Sequence, residues 1–123
     1  MKDTISESKA LVDAIVAGIQ EKKGRAIRII DFGGISGAIC QFFIICQGNT
    51  PMQVAAIADS IEETARQRTR QKPLSVDGTR NAHWIAIDYA DVVAHVFVPD
   101  ARQFYDIEHL WGDAQMTDVA DDY

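Results

Sequence analysis

The chain has 123 residues, 47% of them apolar and 24% charged, with a formal net charge of -6 and a pI near 4.9. That is the size and balance of one globular domain with a single core. The acidic excess disfavours tight direct binding to RNA or DNA, which needs a positive footprint to displace phosphate counterions, and suits a basic partner steered by charge. No apolar run approaches the roughly 20 residues that span a bilayer and no leader pattern is present, so the expectation is a cytoplasmic protein.

A first helix is predicted from about Ile5 to Lys23. Thr4 with Glu7 reads as a capping box, Ile5, Val12, Ile15, Val16 and Ile19 recur at helical spacing, and Lys22, Lys23 and Gly24 form a basic last turn and a stop. Arg25 to Asp31 reads as a first strand closed by a turn at Phe32, Gly33 and Gly34, and residues 35–37 read as loop. Phe42 to Cys46 is a continuous apolar run, the pattern of a buried strand, which stops at Gln47 and Gly48. Thr50 can then cap, and Pro51 begin, a second helix with Val54, Ile57, Ala58, Ile61 and Ala65 on one face, ending near Gln71. A strand, a glycine turn and a helix start in succession could cradle an anion. Gly48-Asn49-Thr50 lacks both the P-loop and the dinucleotide spacing, so simple capping is the preferred reading.

Pro73 to Val76 suits a short edge strand before the Asp77-Gly78 turn signal. The chain then enters its most informative stretch, His83 to Asp100. Trp84 to Ile87 and Val92 to Val98 are two β-rich runs joined through Asp88, Tyr89, Ala90 and Asp91, a hairpin. In the second run Val92, Ala94, Val96 and Val98 share one side, and Val93, His95 and Phe97 the other. Neither side is polar, which places this strand inside a sheet covered on both faces. Ala101 to Leu110 reads as one or two short helical turns leading to Trp111. The segment 115–123 is acidic and without apolar period, the signature of a disordered tail. The resulting expectation is one α/β domain over 1–114, a mixed sheet of about five strands covered by helices.

Candidate chemistry is sparse. Cys40 and Cys46 have no neighbouring cysteine or histidine to complete a metal set and read as reduced thiols. Asp88 and Asp91 flank a turn and could hold magnesium or share acid and base roles, although turn aspartates commonly bond their own backbone. His95 among apolar neighbours reads as a hydrogen-bonded structural residue, satisfied by Asp88 or Asp91. Ser36 and Cys46 are conceivable nucleophiles with no base placed beside them. Arg102, Phe104, Tyr105, Leu110 and Trp111, near Trp84, have the composition of a protein-binding hot spot, and equally of a cap that merely closes the sheet.

Taken in order, several segments resemble one family. They are Gly48-Asn49-Thr50 before Ala56-Ile57-Ala58-Asp59, then Trp84, the run Asp88 to Phe97, Arg102, Phe104-Tyr105, Glu108, and Leu110-Trp111-Gly112-Asp113-Ala114. Together they resemble the Iojap or ribosomal silencing factor family across nearly the whole chain. Three features depart from the family pattern: Gln41 stands where aspartate is usual, Ala90 where glycine is usual between the hairpin carboxylates, and the Gly33-Gly34 stretch is atypical. The resemblance implies a nucleotidyltransferase-like α/β fold without that superfamily's catalytic Gly-Ser and D-x-D motifs. It implies a non-enzymatic factor that needs no cofactor or metal and binds a basic ribosomal protein, number fourteen, on the large subunit, a homodimer being possible when free. Blocking small-subunit joining would then repress translation during nutrient shortage. Carried over, Trp84, Asp88, Asp91, Tyr105, Leu110 and Trp111 are the expected partner-facing residues. Two readings compete with it. One is a divergent magnesium-dependent nucleotidyl or phosphoryl transferase using Asp88 and Asp91; the other is a homodimeric module whose aromatic cluster is its own interface.

Overall fold

A computed structural model describes residues 4–33, 35, 38, 40–121 and 123, with the backbone alone for residues 4–6. The elements in order are α1 (Thr4–Glu21), β1 (Arg25–Asp31), β2 (Phe42–Gln47), α2 (Pro51–Thr69), β3 (Ser75–Asp77), β4 (Trp84–Asp88), β5 (Val92–Phe97), α3 (Pro99–Tyr105), a 3-10 helix (Ile107–Trp111) and β6 (Gln115–Val119). The Thr4 side chain of the expected first cap, Gly34 of the expected turn, Ser36 and Gly37 lie outside the described residues.

The strands form one sheet in the order β3-β4-β5-β2-β1-β6. Only β2 and β5 run parallel, Phe42 opposite Val92 and Gln47 opposite Phe97; every other neighbouring pair is antiparallel. The hairpin read from His83 to Asp100 is therefore present, and its apolar strand β5 lies inside the sheet. Side-chain alternation along β5 then demands cover twice. Val92, Ala94 and Val96 pack with Leu11, Ile15 and Ile19 of α1 and Val54, Ile57 and Ile61 of α2 in the larger core. Each isoleucine or leucine fully buried there contributes about 1.5–3 kcal/mol of transfer free energy. The helices approach closely at Gly18, where a Cβ would lie 2.9 Å from the Ile61 Cα, and Ser60 Oγ donates to the Gly18 carbonyl at 2.7 Å.

Capping of α2 proceeds as its sequence suggests. Thr50 Oγ1 accepts from Gln53 N at 3.1 Å, and Gln53 Oε1 reaches back to accept from Asn49 N at 2.7 Å. Its other end arrives slightly early: Arg70 turns left-handed, and its N–H bonds the Arg66 carbonyl.

Two expectations are corrected. The sheet has six strands rather than about five, because 115–119 is not a loose tail but β6, paired to β1 from Gln115 opposite Asp31 to Val119 opposite Ile27. Besides the ladder to β1 and the half-buried Met116 and Val119, arginines of the first strand hold it. Arg28 Nε donates to Asp118 Oδ1 at 2.7 Å, Ala26 N donates to Asp121 Oδ1 at 3.2 Å, and Arg25 lies 3.9 Å from Asp121. Acids that repel one another in the linear sequence meet arginines contributed by the first strand.

The hairpin turn shows what one family departure does. Ala90 has φ +74, a left-handed conformation that costs an L-residue roughly 1–2 kcal/mol and glycine almost nothing. Asp88 Oδ1 offsets part of this by accepting from Ala90 N at 2.7 Å. Ala90→Gly is expected to stabilise the domain by about 0.5–1 kcal/mol, the backbone relief exceeding the added unfolded-state entropy. An unchanged or lower midpoint in urea denaturation would contradict this.

A candidate docking face

The second face of the sheet is built differently. Its fully buried members are Ile30, Phe32, Phe43, Ile45 and Phe97; against them pack, half-buried, Ala101, Ile107, Trp111, Ala114 and Met116 of the short stretch from α3 to β6, and Ile35, Ala38 and Cys40 between β1 and β2. Cross-strand neighbours share a face, so the pairs Trp84–Phe97, Ala86–His95 and Asp88–Val93 put Trp84, His95 and Asp88 on this side.

Aromatic rings tile the floor. Trp84 stacks on Phe97 with centroids 5.0 Å apart and meets Tyr105 at 4.8 Å. Phe43 meets His95 edge-on at 4.6 Å and Phe32 at 4.9 Å, and Trp111 stands edge-on to Phe32 at 5.1 Å. Above this floor Phe104 is 81%, Leu110 71% and Tyr105 51% exposed. Phe104 and Tyr105 touch, and with Leu110 they leave three large apolar side chains of one short segment in water beside a covered aromatic base.

The members of the late aromatic cluster divide between half-buried and exposed positions. Trp111 caps the sheet, because the 3-10 helix folds back over Phe32 and Phe43 before the chain turns into β6. Tyr105, Leu110 and Phe104 project outward. Phe104 crosses Tyr105 edge-on at 5.1 Å and joins the exposed group, although sequence reading did not single it out as partner-facing. Asp88 is half-buried at the far end of the same face, and Asp91 lies exposed in the hairpin loop, where its backbone carbonyl accepts from Gln41 N and Phe42 N. The two carboxylates share a rim: the negative charge of both, after burial, helps push the Cys40 thiol up to about 11. The face thus contains five of the six expected residues, with Asp91 at its edge.

One nitrogen of His95 is satisfied, by a partner that sequence reading did not foresee. Trp84 Nε1 donates to His95 Nδ1 at 3.1 Å, which requires the ring proton on Nε2, a buried atom without a hydrogen-bond partner among the described residues. Burial pushes the imidazole down to about 4, the Asp88 charge opposing. The ring is therefore neutral near pH 7 and locks the indole plane of Trp84. Burial likewise raises the Cys46 thiol to about 12, so neither cysteine is a reactive thiolate. The described residues contain no group of three or more metal-ligating side chains.

Because the folded value of His95 lies below its unfolded value near 6.5, the unfolded chain takes up a proton that the native state refuses as pH falls. Stability is expected to drop between about pH 6.5 and pH 4 by on the order of 3 kcal/mol more in the wild type than in His95→Asn, whose amide oxygen can still accept from Trp84. Parallel stability–pH curves for the two proteins would refute the assignment.

Comparison with known proteins agrees with this geometry. A family model described as RsfS, ribosomal silencing factor during starvation, matches residues 5–122. The ribosomal silencing factor of Bacillus subtilis (strain 168) is 37% identical over 111 residues, covering 90% of this chain and 92% of that protein. Crystal structures of a Bacillus halodurans protein and of a Chromobacterium violaceum protein each superpose with a TM-score of 0.75. The first is 32% identical over 90% of this chain and 99% of that one; the second is 27% identical over 98% and 97%. The names of such relatives describe a regulatory role rather than a catalysed reaction.

Proposed function

The chain belongs to the ribosomal silencing factor family, and from that premise we propose that it binds the large ribosomal subunit and blocks its association with the small one. The contact is a basic ribosomal protein, number fourteen, and the outcome is repression of translation under nutrient limitation. The observation that carries this reading is the second face: Phe104, Tyr105 and Leu110 stand exposed over an aromatic floor, on a protein of net charge -6. Apolar rings supply the affinity of such a contact, while acidic charge speeds encounter with a basic partner and rejects like-charged ones. Asp88 and Asp91 on the rim contribute to that steering.

The transferase reading gains nothing from the site. The Asp88 carboxylate is engaged with the backbone of its own turn, and the start of α2 is closed by Thr50 and Gln53.

Purified protein sedimented with isolated large or small subunits across a salt series provides the test. Wild type is expected to pellet selectively with large subunits, less so as salt rises. Tyr105→Ala and Trp111→Ala, each verified as folded, are expected to lose on the order of 2 kcal/mol of affinity, about thirty-fold. Failure of the wild type to pellet with large subunits at low salt would sink the proposal; undiminished binding by both variants would sink the face.

A further inference from the structure

The segment that carries the exposed rings has almost no core of its own. Helix α3 buries no side chain, and the 3-10 helix buries one, which is not apolar but the carboxylate of Glu108, 6% exposed. Two arginines converge on it. Arg102 Nε donates to Oε2 at 3.0 Å and its Nη2 to Oε1 at 2.9 Å, while Arg28 Nη1 donates to Oε1 at 3.1 Å. The bonds from Arg102 hold the Glu108 carboxyl below the usual carboxylate range, against burial.

Both arginines are themselves tethered. Arg28 forks onto Asp118 of β6, at 2.7 and 3.3 Å. Arg102 Nη1 donates to the Ala26 carbonyl at 2.7 Å and to Gln47 Oε1 at 3.2 Å. The β1–β2 register is irregular between Arg25 and Arg28, and Ala26 there has φ +53, so the bulge turns that carbonyl toward Arg102.

We propose that Glu108 is a positioning residue for partner binding, clamping the α3 to 3-10 segment onto β1 and β6 so that Phe104, Tyr105 and Leu110 are presented in one arrangement. The role of the segment rests on the docking function proposed above. A buried ion pair is a poor source of net stability, since desolvation cancels much of the attraction, but its directional bonds fix geometry, and removing one partner is severe. Bidentate pairing admits one orientation of α3 against the 3-10 helix; half-buried apolar contacts such as Ile107 and Ala101 would tolerate several. A face ordered in advance need not lose that freedom on binding.

Glu108→Gln keeps the shape but turns an N–H toward Arg102, removing one arm of the fork. Amide hydrogen exchange followed by mass spectrometry in the free protein is expected to quicken at least tenfold in residues 99–114 while β2 and β5 keep their protection, with large-subunit affinity falling about tenfold. Leu110→Ala should weaken binding without changing exchange. Wild-type exchange in 99–114 of Glu108→Gln overturns the proposal, as does a uniform increase that includes β2 and β5, which would make Glu108 a residue of general stability. Should Glu108→Gln fail to fold, Asp118→Asn releases Arg28 from the exposed end; a smaller, equally local acceleration is expected, and none would overturn the clamp. If the wild type does not bind large subunits, the docking reading fails, while exchange in the free protein still decides whether Glu108 holds the segment.

Discussion

A central strand with no polar side must be covered twice, and this chain covers β5 unequally. Two helices of 18 and 19 residues close one face; the other receives a seven-residue helix, a single 3-10 turn and the edges of a loop. So short a cover buries Phe32, Phe43 and Phe97 but has nothing left to bury its own outer side chains, Phe104 and Tyr105. Rings therefore pile up on rings, and the last of them stand in water. In this way the exposed rings of the proposed docking face follow from how the core is closed.

Polar contacts beneath that surface compensate for the missing apolar cover. His95 orients Trp84 through one nitrogen, and Glu108 gathers Arg102 and Arg28. Both are buried and both depend on a fixed protonation state, the histidine neutral and the glutamate ionised. Directional bonds are suited to this position because a thin layer cannot rely on interdigitated side chains to choose one arrangement.

Most of the fold was legible in the sequence because its signals are local. Helical spacing of Val54, Ile57 and Ile61, the Thr50 cap and the two-sided apolar pattern of β5 each depend on residues close together in the chain, and each is found where expected. What escaped is non-local. The stretch from Asp113 to Tyr123 carries four acids and little apolar period, and its pairing depends on the neighbouring strand β1, about 90 residues earlier in the chain, whose Arg25 and Arg28 meet Asp121 and Asp118. At the docking face, Trp84, Tyr105, Leu110 and Trp111 were visible as large apolar residues near the chain end. Glu108, by contrast, resembles any surface carboxylate until the two guanidinium groups around it are known. The partner of His95 was also misjudged: Asp88 and Asp91 are nearer to it in sequence, but the pleat puts the Trp84 indole within reach of its ring.

The pairing of β6 with β1 also sets an order of events in the making of the protein. Arg28 and Asp118 are 90 residues apart, so the outer ladder closes only after nearly the whole chain exists. Until then β1 presents an unpaired edge, and its pairing with β6 spans the largest sequence separation of any ladder in the sheet. Because Arg28 also reaches Glu108, the ordering of the surface segment is tied to that last closure. A chain synthesised only as far as Trp111 therefore already holds Glu108 and Arg28 but not Asp118, the residue that fixes Arg28 from the other side.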